Sequence, residues 1–194
     1  MLIEDGTGSG KTAAVSDENR LKTTSIISST EHHINHSDGL SFNLIINQTP
    51  SYSDPSEASG DVCFAYIKNT SEIDMCLEEV NIRLAGTAQS EVVKVRGKNT
   101  GTPTGGTNAT PANLNLNSGK QASGTFLVGN ELTGLTSGTE LDRIYLGSSN
   151  DISNFNFGQD IIVPKNNIIT FWASTLDAEI YIGLMFNYHT TETG

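Results

Sequence analysis

Apolar residues along this chain recur at every second position in short runs, and nowhere with the three-and-four spacing of an amphipathic helix. In the clearest run Ile180, Ile182, Leu184 and Phe186 share one face of an extended segment, and Tyr181, Met185 and Asn187 share the other with Gly183. Residues 40–46 and 62–67 read as strands from their β-branched and aromatic content and short length. Residues 75–84 also alternate, placing Cys76, Glu78, Val80 and Ile82 on one face and Leu77, Glu79, Asn81 and Arg83 on the other. Further strands are expected over residues 91–96, 124–128, 143–146, 160–163, 168–174 and 179–188. About eight to ten short strands with turn-rich connections predict an all-β chain, an antiparallel two-sheet β-sandwich of jelly-roll type. Trp172, flanked by Phe171 and Ala173, is expected to anchor the opposing sheet. The face carrying Tyr181 and Met185 is a candidate oligomer contact, because soluble antiparallel sheets normally keep that face polar.

Two stretches interrupt the alternation. Residues 48–61, with Pro50 and Pro55, and residues 97–120, rich in Gly and Thr, are expected to be exposed loops. Loops of that length are usually functional, although long insertions are also tolerated at small entropic cost. Residues 62–68 and 74–84 would pair as a hairpin around residues 70–71, offsetting Cys63 from Cys76 by roughly 10 Å along the strands, too far for a disulfide. Two reduced thiols are therefore expected, in keeping with assembly in a cytoplasm.

Composition narrows the function. A net charge of −11 argues against nucleic-acid partners, which call for clustered Lys and Arg. With charged residues at only 17%, solubility rests on neutral polar surface. No apolar stretch approaches the length of a membrane span, so no membrane partner is expected. The opening Met1-Leu2-Ile3-Glu4 lacks the basic start and apolar core of a secretory signal, so synthesis in a cytoplasm is expected. The expected organisation is an N-terminal arm or β-hairpin over residues 1–25 and a β-sandwich over residues 26–194.

That arm invites two readings. Gly10-Lys11-Thr12 fits the end of a phosphate-binding loop, but Asp5 stands where the first glycine belongs, and a carboxylate there repels phosphate. Only Leu2 and Ile3 precede the turn where a buried strand is required, and no amphipathic helix follows. A P-loop NTPase is thus the third-ranked reading. Alternatively, Ile3-Glu4-Asp5-Gly6-Thr7-Gly8, continuing through Lys11-Thr12-Ala13 to a turn with Asp17 and Asn19 and then Arg20-Leu21, resembles the opening of a family of tailed-bacteriophage virion structural proteins. Val163-Pro164-Lys165-Asn166-Asn167-Ile168-Ile169-Thr170-Phe171 is similar to that family's closing strands.

The resemblance implies a non-enzymatic protein on the particle surface, a capsid decoration or head-surface protein, or else one associated with tail, neck or baseplate. It implies attachment to other virion proteins, the major capsid or tail/neck protein, through Leu2, Ile3, Glu4, Asp5, Gly6, Thr7, Gly8, Lys11, Val15, Arg20 and Leu21. A homo-oligomer, with a trimer as first choice, follows from the same resemblance.

Little else suggests chemistry. His32, His33 and His36 cluster, but an extended chain points His33 away from the other two, and the helical alternative lacks the glutamate of a zinc protease, so no metal or cofactor is assigned. These histidines are candidates for an oligomer contact instead. Glu78/Glu79 and Glu140/Asp142 read as solvated charges, and no nucleophile elbow is present, so no catalytic residue is assigned. The alternative from another class is a carbohydrate-binding β-sandwich for host adhesion, for which Tyr52 is the clearest loop-borne aromatic.

Overall fold

Where apolar and polar residues alternate, the chain buries one set and exposes the other: strand β6 (Glu91–Gly97) sinks every second residue. The computed structural model describes residues 2–4, 12–14, 38–52, 60–85, 91–147, 152–174 and 178–189. Two compact units divide the chain, Met1–His33 and Ile34–Gly194. In the first, β1 (Leu2–Glu4) pairs antiparallel with β2 (Thr12–Ala14), Leu2 opposite Ala14 and Glu4 opposite Thr12.

The second unit is a sandwich of antiparallel sheets, and no helix occurs among the described residues. Its long strands are β3 (Ser41–Gln48), β4 (Val62–Asn69), β5 (Asp74–Ala85), β6, β12 (Thr139–Leu146), β13 (Ile152–Val163), β14 (Ile168–Ala173) and β15 (Glu179–His189). Between β6 and β12 come β7 (Gly101–Thr104), β8 (Thr107–Asn108), β9 (Ala112–Asn113), β10 (Gly124–Val128) and β11 (Thr133–Leu135). One sheet runs β12-β6-β14-β4-β10-β8, the other β13-β5-β15-β3-β9, and β11 pairs with β7 in a small ribbon. Each step between consecutive long strands crosses to the opposite sheet except that from β6 to β12, which are antiparallel neighbours in one sheet.

The hairpin expected between residues 62–68 and 74–84 is not formed. Residues 70–73 are long enough for a hairpin turn, but both sides of β4 are taken by β14 and β10, and the connection carries the chain across to the other layer. Asn69 fixes this crossing. Its buried side chain donates to the Ile73 carbonyl at 2.9 Å and the Val163 carbonyl at 2.8 Å, and accepts from the Ser71 amide at 2.8 Å. The Asn166 amide donates to the Asn69 carbonyl, tying the β13–β14 turn to the β4–β5 crossing. In that turn Asn166 itself takes φ 63°, a left-handed conformation asparagine tolerates.

The core lies between the sheets. Phe42, Leu44 and Ile46 of β3 and the even-numbered residues of β15 from Ile180 to Tyr188 face Phe64 and Ile67, Val93 and Val95, and Ile169 and Phe171. Phe186 stacks on Phe42 of its own sheet at 5.6 Å and on Phe126 of the opposite sheet at 5.7 Å between ring centroids. The face assignment over residues 75–84 holds only for part of the strand. Glu79 pairs with Met185 and Leu77 with Phe186, so Glu78 is an extra residue in the ladder and the alternation inverts there. Met75 and Leu77 thereby join Val80, Ile82 and Leu84 in the core, while Cys76 turns outward.

The stretch 97–120 is not simply loop. It supplies β8 to the edge of one sheet and β9 to the edge of the other, shielding ladder groups that would otherwise stand open. Strand β13 begins eight residues before the expected start at Asp160, reached through a register break between Asn156 and Ile161 with Gly158 at φ 56°.

Candidate functional site

Of the residues assigned to attachment, Leu2, Ile3 and Glu4 form β1, in extended pairing with Thr12, Ala13 and Ala14. Thr12 thus opens a strand where a phosphate-binding loop requires a helix. Asp5, Gly6, Thr7, Gly8, Lys11, Val15, Arg20 and Leu21, and the histidines His32, His33 and His36, lie outside the described residues.

Tyr181 and Met185 point outward from the five-stranded sheet, away from the core, and each is half-buried. The Tyr181 hydroxyl donates to Glu179 Oε1 at 2.7 Å, and that hydrogen bond is the main reason its pKa is raised. By register the same face carries Ile45, Ile152 and Ile162, all more than half exposed. At its other end polar groups are buried: Asn187 donates to Glu78, while Ser41 Oγ, Asn43 Oδ1 and Asn187 Oδ1 have no hydrogen-bond partner among the described residues. Glu78, expected to be solvated, is only 8% exposed because the ladder irregularity turns it onto this covered end.

The outward face of the six-stranded sheet is closed by its own residues. Trp172 packs with Cys63, Tyr66 and Leu132 rather than in the core, so the expected anchor between sheets is replaced by Phe171, its neighbour of opposite parity. Asp61 pairs with both Lys94, at 2.6 Å, and Arg96, and the Arg96 guanidinium lies 4.8 Å over the Trp172 ring. Trp172 Nε1 donates to Thr170 Oγ1 at 2.7 Å, which lies 2.9 Å from Asn99 Oδ1. Around Trp172 the charges and donors of this face are thus engaged with one another.

Both cysteines are buried, and no disulfide joins them. The reason is not the hairpin offset expected from sequence: Cys63 and Cys76 face outward from opposite sheets, separated by the thickness of the sandwich, about 10 Å between sheet planes. Burial pushes the Cys63 thiol up to about 12. On β12, Arg143 donates from Nε to Glu140 Oε1 at 2.8 Å and holds that exposed carboxyl below its usual range. Among the described residues no three His, Cys, Asp or Glu side chains come together as a metal site, and no helix is long and apolar enough to cross a membrane.

A cleft of about 520 Å³ lies where the chain after β3, the β7–β8 turn and the β10–β11 connection meet. Its first two walls come from the two stretches singled out as long loops. The third wall had no marker beyond Gly129-Asn130, a common turn signal. Tyr52, beside it, is half-buried and not lost to the core. Comparison of the chain with family models, with curated proteins and with solved structures gave no match.

Proposed function

We propose that this chain is a non-enzymatic structural component of a tailed-phage virion, a capsid decoration or head-surface protein held on the particle through its N-terminal segment. The observation that carries the reading is the separation of the chain into two units, with the residues that resemble the phage family's opening in the smaller one and paired there as extended backbone. Extended pairing is also how a strand-like arm adds to another protein's sheet. The order of the eight long strands, β3-β15-β5-β13 in one layer and β4-β14-β6-β12 in the other, supports a jelly roll, an architecture used by capsid and lectin domains alike. The isoleucines and half-buried Tyr181 and Met185 on the outward five-stranded face support self-association, as the trimer the resemblance implies. A tail, neck or baseplate position is the second form of the same proposal. The reading assigns the chain no cofactor, metal or nucleic acid.

Cryo-electron microscopy of the intact particle, beside a particle whose copy of this protein lacks residues 1–25, tests it. Loss of sandwich density on deletion is the expected outcome. Sandwich density that stays in place removes the attachment role, and a particle that never contained the protein removes the whole reading.

A further inference from the structure

The cleft at the end of β3 is built, not incidental. Leu132 is buried among Cys63, Tyr66 and Trp172 and its amide donates to the Cys63 carbonyl at 2.7 Å, fastening the β10–β11 connection to the sheet. Asn130 then holds the segment after β3: its Oδ1 accepts from the Thr49 amide at 3.2 Å and its carbonyl from the Ser51 amide at 3.1 Å. The β7–β8 turn closes the third side, with Thr104 and Thr133 hydroxyls 2.7 Å apart. Gly105 and Gly106 take φ 82° and 75° there. A Cβ on Gly106 would lie 2.5 Å from the Leu132 side chain and 2.7 Å from the Val128 carbonyl, so glycine is what lets this turn nest against its neighbour. Three segments far apart in sequence are thus held in one geometry before any ligand arrives, which lowers the ordering cost of binding.

The lining selects a ligand class. Gln48 contributes an amide, Asn130 the NH2 end of its amide, Thr107 a hydroxyl and Glu131 a carboxylate, and the mutually bonded Thr104 and Thr133 hydroxyls keep one donor between them. No lysine, arginine or histidine is among the described lining residues, so a phosphate or sulfate group would find no counter-charge. A single carboxylate is too few for a calcium or magnesium site, and Val128 is too little apolar surface for a lipid or a flat aromatic ligand. Groups that donate and accept at short spacing, without net positive charge, match an uncharged polyhydroxylated molecule. Tyr52, next to the lining residue Ser51, stands outside the lining: burial first, then the charges of Asp61 and Glu131, raise its pKa, and its hydroxyl donates to the Gly60 carbonyl.

From this geometry we infer that the cleft between Gln48, the Gly105-Gly106 turn and Glu131 binds a neutral saccharide. The inference does not rest on the virion reading, since the walls and their chemistry belong to the sandwich alone. Its test is an array of neutral, sialylated and sulfated oligosaccharides probed with the full chain, followed by amide-shift titration of the isotope-labelled chain with the strongest neutral hit. Saturable binding with Kd on the order of 1 mM is expected, with shifts at Gly105, Gly106, Asn130 and Glu131. Gln48→Ala and Thr107→Val, each near the surface, should weaken it about fivefold to tenfold without moving the melting temperature. No saturable binding by any neutral glycan up to about 10 mM would overturn the assignment. Shifts that map elsewhere, preference for charged glycans, or binding indifferent to both substitutions would overturn it equally. None of these results bears on whether the protein sits in a particle.

Discussion

Raising the pH should destabilise this protein through Cys63. The thiol is 1% exposed on the outward face of β4, sealed by Leu132 and Trp172, and burial raises it from 9.0 to about 12. Below pH 9 both folded and unfolded chains hold the proton and stability is unaffected. Between about pH 9 and 12 the unfolded chain loses a proton that the folded chain keeps, so stability falls by about 1.4 kcal/mol per pH unit. By about pH 10.5 the loss from this one group is about 2 kcal/mol, a sizeable part of the roughly 5–15 kcal/mol that stabilises a domain. Tyr66 and Tyr188 are also raised by burial and act in the same direction at higher pH, so the comparison must be with Cys63→Ala. That variant shifts stability by a packing cost that does not vary with pH. Urea unfolding with reductant present, followed by the fluorescence of Trp172, the chain's single tryptophan, measures both proteins from neutral to about pH 10.5. Wild type should lose about 2 kcal/mol more than Cys63→Ala between about pH 8.5 and 10.5. Equal losses would mean that the folded thiol titrates like a free one, and that the Leu132 segment does not seal this face.

The contact between sheets through Phe126 and Phe186 should appear as a coupling of about 0.5–1.5 kcal/mol in a double-mutant cycle of Phe126→Leu and Phe186→Leu, measured by urea unfolding; additive effects would separate the two rings. Asn69→Ala strips the only side-chain donor described for the Ile73 and Val163 carbonyls and should cost about 2–3 kcal/mol by thermal unfolding, against a few tenths if the site were wet. Gly106→Ala forces a Cβ against Leu132 and Val128 at a left-handed φ and should cost about 1–3 kcal/mol by calorimetry; a neutral result would mean the β7–β8 turn is free to move.

Strand positions were legible wherever alternation was unbroken: residues 124–128 are β10, and residues 168–174 and 179–188 differ from β14 and β15 by a residue at one end. Alternation misled where the ladder gains a residue. Nothing in Leu77-Glu78-Glu79 announces that Glu78 is extra, because the irregularity belongs to the pairing with Met185 and Phe186, a hundred residues on. Sequence neighbours also suggested a β4–β5 hairpin, whereas strand partnership is decided by which faces the whole sandwich buries. Trp172 and Phe171 are both large and apolar, and only the register between β14, β4 and β6 says which one faces inward. The cleft was legible as two unusual stretches but not as a site. Its third wall depends on where Leu132 docks, a tertiary fact with no local pattern behind it.

The strand order also sets when this protein can fold. β14 lies between β6 and β4, and β15 between β5 and β3, so the interior strand that unites each sheet is synthesised after the strands it joins. A nascent chain must hold β3, β4, β5 and β6 with open edges while more than seventy further residues are made, from Gly97 to Ile168. Such sequence-distant pairing is intrinsically slow, and waiting edges invite association with other chains. Shortening this chain from its C-terminal side would not trim a border; once β15 is cut, the sandwich loses the middle of a layer.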